Sequence, residues 1–179
     1  ASGASARLTL TATLAANLAA GQAVTNTATL QTQTPEADLT NNSGTAAVGV
    51  ACVPASVVTS TADSGAGSLR LAAANTCADG SITFSLATPA TITLTSGEIS
   101  LARSLTLTGP GAGLLTVSGN ATSRVFNVAA GVRVQITGLT LRQGLAAGPA
   151  CPAACGGALL NAGSLTLAIM TLPVIISTT

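Results

Sequence analysis

Apolar residues alternate one by one with threonine or serine along much of the chain. Residues 7–14 (RLTLTATL), 22–31 (QAVTNTATLQ) and 44–50 (GTAAVGV) follow this pattern in the first fifty positions. A period of two puts one residue set on each face of a pleated strand, so three strands are predicted there. Residues 34–42 (TPEADLTNN) separate the last two with Pro, Asp, Asn and Thr, side chains that form turns. Residues 51–56 (ACVPAS) read as a linker, and 57–60 as a further strand followed by a loop at 61–67 (TADSGAG). Only 68–75 (SLRLAAAN) reads as a helix: Ser68 suits the N-cap, and Leu, Arg and Ala propagate helices well. The run from Cys77 to Gly80 is predicted to end it with a turn.

From Ser81 onward the pattern repeats. Residues 103–109 (RSLTLTG), 132–138 (VRVQITG) and 163–169 (GSLTLAI) align at offsets of 29 and then 31 residues. Residues 114–120 (LLTVSGN), 124–128 (RVFNV) and 139–141 lie between them, bounded by Gly, Asn or Pro. Short strands with such corners and a repeat of about 20 to 30 residues predict a solenoid whose coils stack at about 4.8 Å. Four or so coils would span about 20 Å. Leu, Ile, Val and Phe, including Phe84 and Phe126, are expected to fill the bore, with Thr and Ser facing water.

Composition narrows the chemistry. The 179 residues contain 6% charged and 1% aromatic side chains, with no Trp, Tyr or His. The cations are Arg7, Arg70, Arg103, Arg124, Arg133 and Arg142, the anions Glu36, Asp38, Asp63, Asp79 and Glu98, for a net charge of +1. Nucleic-acid binding is not expected, because there is neither a basic stripe for phosphates nor an aromatic platform for bases. The commonest proton-transfer side chain near neutral pH is missing. No run of about 18 apolar residues predicts a membrane helix.

The run at 21–50 (GQAVTNTATLQTQTPEADLTNNSGTAAVGV) resembles the C-terminal half of a conserved-repeat, immunoglobulin-like domain of bacterial cell-surface proteins. Gly21, Val24, Asn26, Ala28, Asp38, Asn41 and Asn42 occupy the motif positions. The sequence at 57–167 resembles the N-terminal part of right-handed parallel β-helix proteins of bacterial surfaces, similar in fold to pectin lyases. It carries VVTSTADSGAGSLRLAAANTCADGSITF, ITLTSGEISLARSLTLTGPGAGLLTVSGN, SRVFNVAAGVRVQITGLTLRQG and GGALLNAGSLTL. The resemblance implies that the Ser-Leu-Arg helix caps the open end of the β-helix. The expected architecture is therefore all-β: half an immunoglobulin-like sandwich at 1–50, the linker at 51–56, a parallel β-helix at 57–172 with a capping helix at 68–75, and a tail at 173–179. From residue 168 the tail turns apolar and loses its Gly and Asn corners.

The four cysteines admit three pairings. Cys52 and Cys77 flank the capping helix, and Cys151 and Cys155 share a Gly/Pro/Ala-rich insertion. Two disulfides on that pattern, in an oxidising compartment, are favoured over metal binding, since only thiols are offered and their spacings are not those of zinc sites. Asp63, Asp79 and Glu98 are read as turn formers and solubilising groups, and Arg103, Arg124 and Arg133 as surface solvation. No cofactor, metal or catalytic residue is expected. The chain reads as a non-enzymatic, extracellular or cell-surface structural protein: a stalk, an adhesin segment or a fibre subunit that self-associates or adjoins other domains. The alternative is a carbohydrate-binding or polysaccharide-cleaving β-helix.

Overall fold

The computed structural model describes residues 18–31, 40, 42–146 and 157–168, with the backbone of 176–178. The strand expected at 7–14, most of the turn at 34–42, and Cys151 and Cys155 lie outside these residues.

Two strands, β1 (Ala23–Thr29) and β2 (Ser43–Gly49), pair antiparallel, with Val24 opposite Val48 and Thr27 opposite Thr45. Nearly every position of the pair is exposed. The immunoglobulin-like assignment of this region rests on its sequence resemblance; what is described is one antiparallel pair.

The chain then enters a parallel solenoid of about 3 turns, fewer than the four or so coils expected. Strand β3 (Val53–Val58) begins inside the segment read as a linker, and α1 (Leu69–Asn75) follows. Next come β4 (Thr76–Phe84), β5 (Ala90–Thr93), β6 (Ile99–Leu101), β7 (Leu105–Thr108), β8 (Leu115–Ser118) and β9 (Phe126–Val128). They continue as β10 (Arg133–Thr137), β11 (Thr140–Arg142), β12 (Leu159–Asn161), β13 (Ser164–Ala168) and β14 (Ile176–Thr178). Three sheets form the walls, in strand orders β13-β10-β7-β4-β3, β11-β8-β5 and β14-β12-β9-β6. The repeat read in the sequence is the register of the first: Leu105 pairs with Val134 and Val134 with Leu165.

The bore is apolar and close-packed. Ile82, Ile92, Leu94, Leu101, Leu107, Val117, Phe126, Val128, Ile136 and Leu141 are wholly buried, and Phe84 packs half-buried against them. Corners must be as tight as the stacking. Gly138 has φ +64°, and a Cβ there would sit 2.5 Å from the Gly109 carbonyl oxygen of the coil beneath. Glycine alone meets both conditions without strain.

Helix α1 closes one end. The Ser68 side chain accepts from Leu71 N, and Leu69, Ala72 and Ala73 are buried. The expected turn from Cys77 to Gly80 is instead part of β4. The Thr76 hydroxyl donates to the Ala72 carbonyl at 2.7 Å, and Asp79, at φ +61°, donates its N–H to Ser104 O at 2.6 Å. The β3/β4 register shifts between Val53 and Ala55, around Pro54, which has no N–H to contribute to a ladder. At the other end Ile176–Thr178, expected as tail, pairs in parallel with β12.

Candidate functional site

The outward positions of the coil strands form rows. In the five-stranded sheet Ser81, Thr106, Gln135 and Thr166 are in register, and two positions on Thr83, Thr108 and Thr137 form a second row. In the three-stranded sheet Thr91, Thr116 and Thr140 align, as do Thr93, Ser118 and Arg142. Strand geometry spaces such side chains at about 4.8 Å between coils and about 6.7 Å along a strand. Two of the hydroxyl residues are buried and bonded: Ser118 donates to Gln143 Oε1 at 2.8 Å, and Thr140 to the Ala112 carbonyl.

Across the five-stranded sheet runs an open groove of about 270 Å³, lined by Asp79, Thr106, Arg133, Gln135, Ser164 and Thr166 among others. It offers hydroxyls, an amide, one guanidinium and one carboxylate, groups suited to hydrogen-bonding a polyhydroxylated ligand.

Other charged side chains tie the fold together. Arg70 on α1 meets Asp63 at 2.7 Å and donates to the carbonyls of Gly97 at 2.6 Å and Glu98 at 2.9 Å. The second Asp63 carboxylate oxygen accepts from the Ser96 N–H at 2.8 Å and from the Thr95 N–H and hydroxyl at 3.2 Å each. Burial alone would raise this carboxyl, but the hydrogen bonds from Ser96, Arg70 and Thr95 and the Arg70 charge outweigh it and hold its pKa at about 2. Glu98 bridges coils, accepting from Arg124 Nε and from Asn127 Nδ2 at 2.8 Å each. Arg103 donates to the carbonyls of Ala74 and Thr76 at the C-terminal end of α1.

These contacts correct the reading of Asp63, Glu98, Arg103 and Arg124 as solvated surface groups. Arg70 and Asp63 are seven residues apart and close on each other through the loop before α1. The partners of Glu98 come from the next coil, so only the coil register could have revealed them. Arg133 and Asp79 are exposed and border the groove.

Cys52 and Cys77 form a disulfide with Cα atoms 5.0 Å apart. It joins the approach to β3 to the second residue of β4, the pairing favoured from the sequence for these two. Among the described residues, no three His, Cys, Asp or Glu side chains gather as a metal-binding group, and no helix is long and apolar enough to cross a membrane. Comparison of the chain with protein-family models, with curated proteins and with solved structures found no match.

Proposed function

We propose that this chain is a non-enzymatic structural module of a secreted or cell-surface protein, a β-rich stalk, adhesin segment or fibre subunit. One observation carries the reading. Asp63 and Glu98 are engaged in ties between elements, and the outward rows are mostly Thr and Ser, with Gln135 and Arg142 the exceptions. Hydroxyl rows stay hydrated with little charge, and among the described residues Asp63 and Glu98 are each tied to an arginine rather than to one another, which does not favour paired-carboxylate acid–base work. The disulfide supports an oxidising, extracellular setting. The resemblance to right-handed, pectin-lyase-like β-helices and to immunoglobulin-like surface repeats points to the same setting.

The test is twofold. Incubation of the purified chain with uronate-containing polysaccharides is expected to release no product; turnover would overturn the non-enzymatic reading. Electron microscopy with size-exclusion chromatography is expected to show end-to-end or strand-joined assemblies. A stable, monodisperse monomer would remove the self-assembling form.

The groove beside Arg133 favours a second reading, a glycan-binding β-helix. It requires that Arg133→Ala and Gln135→Ala weaken polysaccharide retention on an affinity gel, and unretained native protein would dismiss it.

A further inference from the structure

The antiparallel hairpin and the solenoid meet at one short stretch of chain, residues 74–79, around the carboxyl end of α1. The hairpin closes at its base, where Gly21 N–H donates to Val50 O at 2.9 Å and Val50 N–H donates to Gln22 O at 2.8 Å. Just outside that closure both legs are held. On the incoming leg Ala20 N–H donates to Asn75 Oδ1 at 2.6 Å, and Asn75 Nδ2 donates to Leu18 O at 3.1 Å. On the outgoing leg Cys52, two residues beyond Val50, is joined to Cys77. The two legs are therefore anchored to residues that are themselves only two apart.

The anchoring stretch is fixed in turn from the solenoid side. Arg103 donates to the carbonyls of Ala74 at 2.7 Å and Thr76 at 3.1 Å, and Asp79 N–H is bonded to Ser104 O. The Thr76 hydroxyl gives its proton to the Ala72 carbonyl and so accepts from the Ser56 hydroxyl at 2.7 Å. Helix α1, strand β3 and the coil at 103–104 all grip the residues that hold the hairpin. Chain segments joined by a single short connection reorient by default, and a second anchor on the other leg removes that freedom.

We propose that residues 74–79 form a rigid joint that fixes the direction of the hairpin relative to the solenoid, and that the Cys52–Cys77 bridge makes this joint redox-sensitive. Asn75 is a positioning residue in it. Cys52 is exposed and Cys77 partly so, which opens the bridge to a small dithiol. One thiolate of the dithiol attacks a bridge sulfur, forming a mixed disulfide and releasing the other cysteine. The second thiol then displaces the remaining cysteine. The dithiol ends as a disulfide, having supplied two electrons and two protons, and Cys52 and Cys77 end as thiols. The outgoing leg has then lost its crosslink, and the hydrogen bonds of Asn75 remain on the incoming one. The inference does not rest on the structural role proposed above.

Residual dipolar couplings measured by NMR on the full-length protein test it, in a Cys151→Ser, Cys155→Ser background so that only this bridge responds. In the oxidised protein the couplings of Ala23–Thr29 and Ser43–Gly49 are expected to fit the same alignment tensor as those of β4, β7 and β10. Reduction by a dithiol, or Cys52→Ser with Cys77→Ser, is expected to shrink the hairpin couplings about twofold or more through reorientation, with those of the solenoid unchanged. Reoxidation should restore them, and Asn75→Ala should deepen the loss in the reduced protein; no added effect would remove Asn75 from the joint. Separate tensors in the oxidised protein, or hairpin couplings unchanged by reduction, would overturn the proposal. So would loss of the Val24–Val48 pairing on reduction, which would mean that the bridge holds the hairpin together rather than orienting it.

Discussion

At the level of single residues, the Asp63 carboxylate has the clearest consequence. Its pKa of about 2 lies below the ordinary 3.8. The stabilisation is therefore fully present above about pH 4 and is lost as pH falls towards 2, a contribution of about 2 kcal/mol. Urea titrations of Asp63→Asn should show a loss of that size at pH 7 and a flatter stability curve between pH 4 and 2. An acid limb identical to that of the native protein would exclude Asp63 as its source. Gly138 is the other position where one atom decides. A Cβ there meets the Gly109 carbonyl, and φ +64° is adverse for other residues. Gly138→Ala should therefore cost about 3 kcal/mol by denaturant unfolding, against near neutrality for a substitution at the open Gly113 corner.

Among the elements, α1 is short and depends on its cap. Ser68 is wholly buried, accepts from Leu71 N at 3.2 Å and donates to Gly65 O at 2.8 Å. Ser68→Ala should destabilise the protein by about 1 to 2 kcal/mol, read as a lower Tm in circular dichroism, with Ser68→Thr recovering part of it. The helix was legible because its cap and its helix formers are contiguous. The coil strands β7, β10 and β13 were legible for a related reason: strict alternation recurs with a glycine corner. The start of β3 was hidden by Pro54, which reads as a breaker until the register shift that accommodates it is seen. Cys77 to Gly80 carried Asp-Gly turn chemistry, yet the segment pairs beside β7, with Asp79 N–H bonded to Ser104 O. Strands β5 and β12 have four and three residues and, unlike the equally short β7, do not fall in the aligned repeat with its glycine corner, so the period of two does not stand out. The partners of Glu98 and Arg103 come from 26 to 29 residues away, a separation that local pattern does not encode.

For the molecule as a whole, each coil touches chiefly its neighbours, so stability accumulates coil by coil. Closing the 25-residue separation between Cys52 and Cys77 should contribute about 3 kcal/mol. Cys52→Ser with Cys77→Ser, or mild reduction, should lower the denaturation midpoint accordingly; equal midpoints would show that the crosslink leaves the solenoid's stability unaltered. The position of that bond also sets a mechanical path. A pull transmitted through the hairpin enters the solenoid at Cys52, crosses the sulfur bridge and continues from Cys77, bypassing the residues between. While the bridge is intact the backbone between Cys52 and Cys77 is bypassed, and beyond the side-chain ties of Asn75 to Leu18 and Ala20 the load falls first on the remainder of β4 and its ladder to β7.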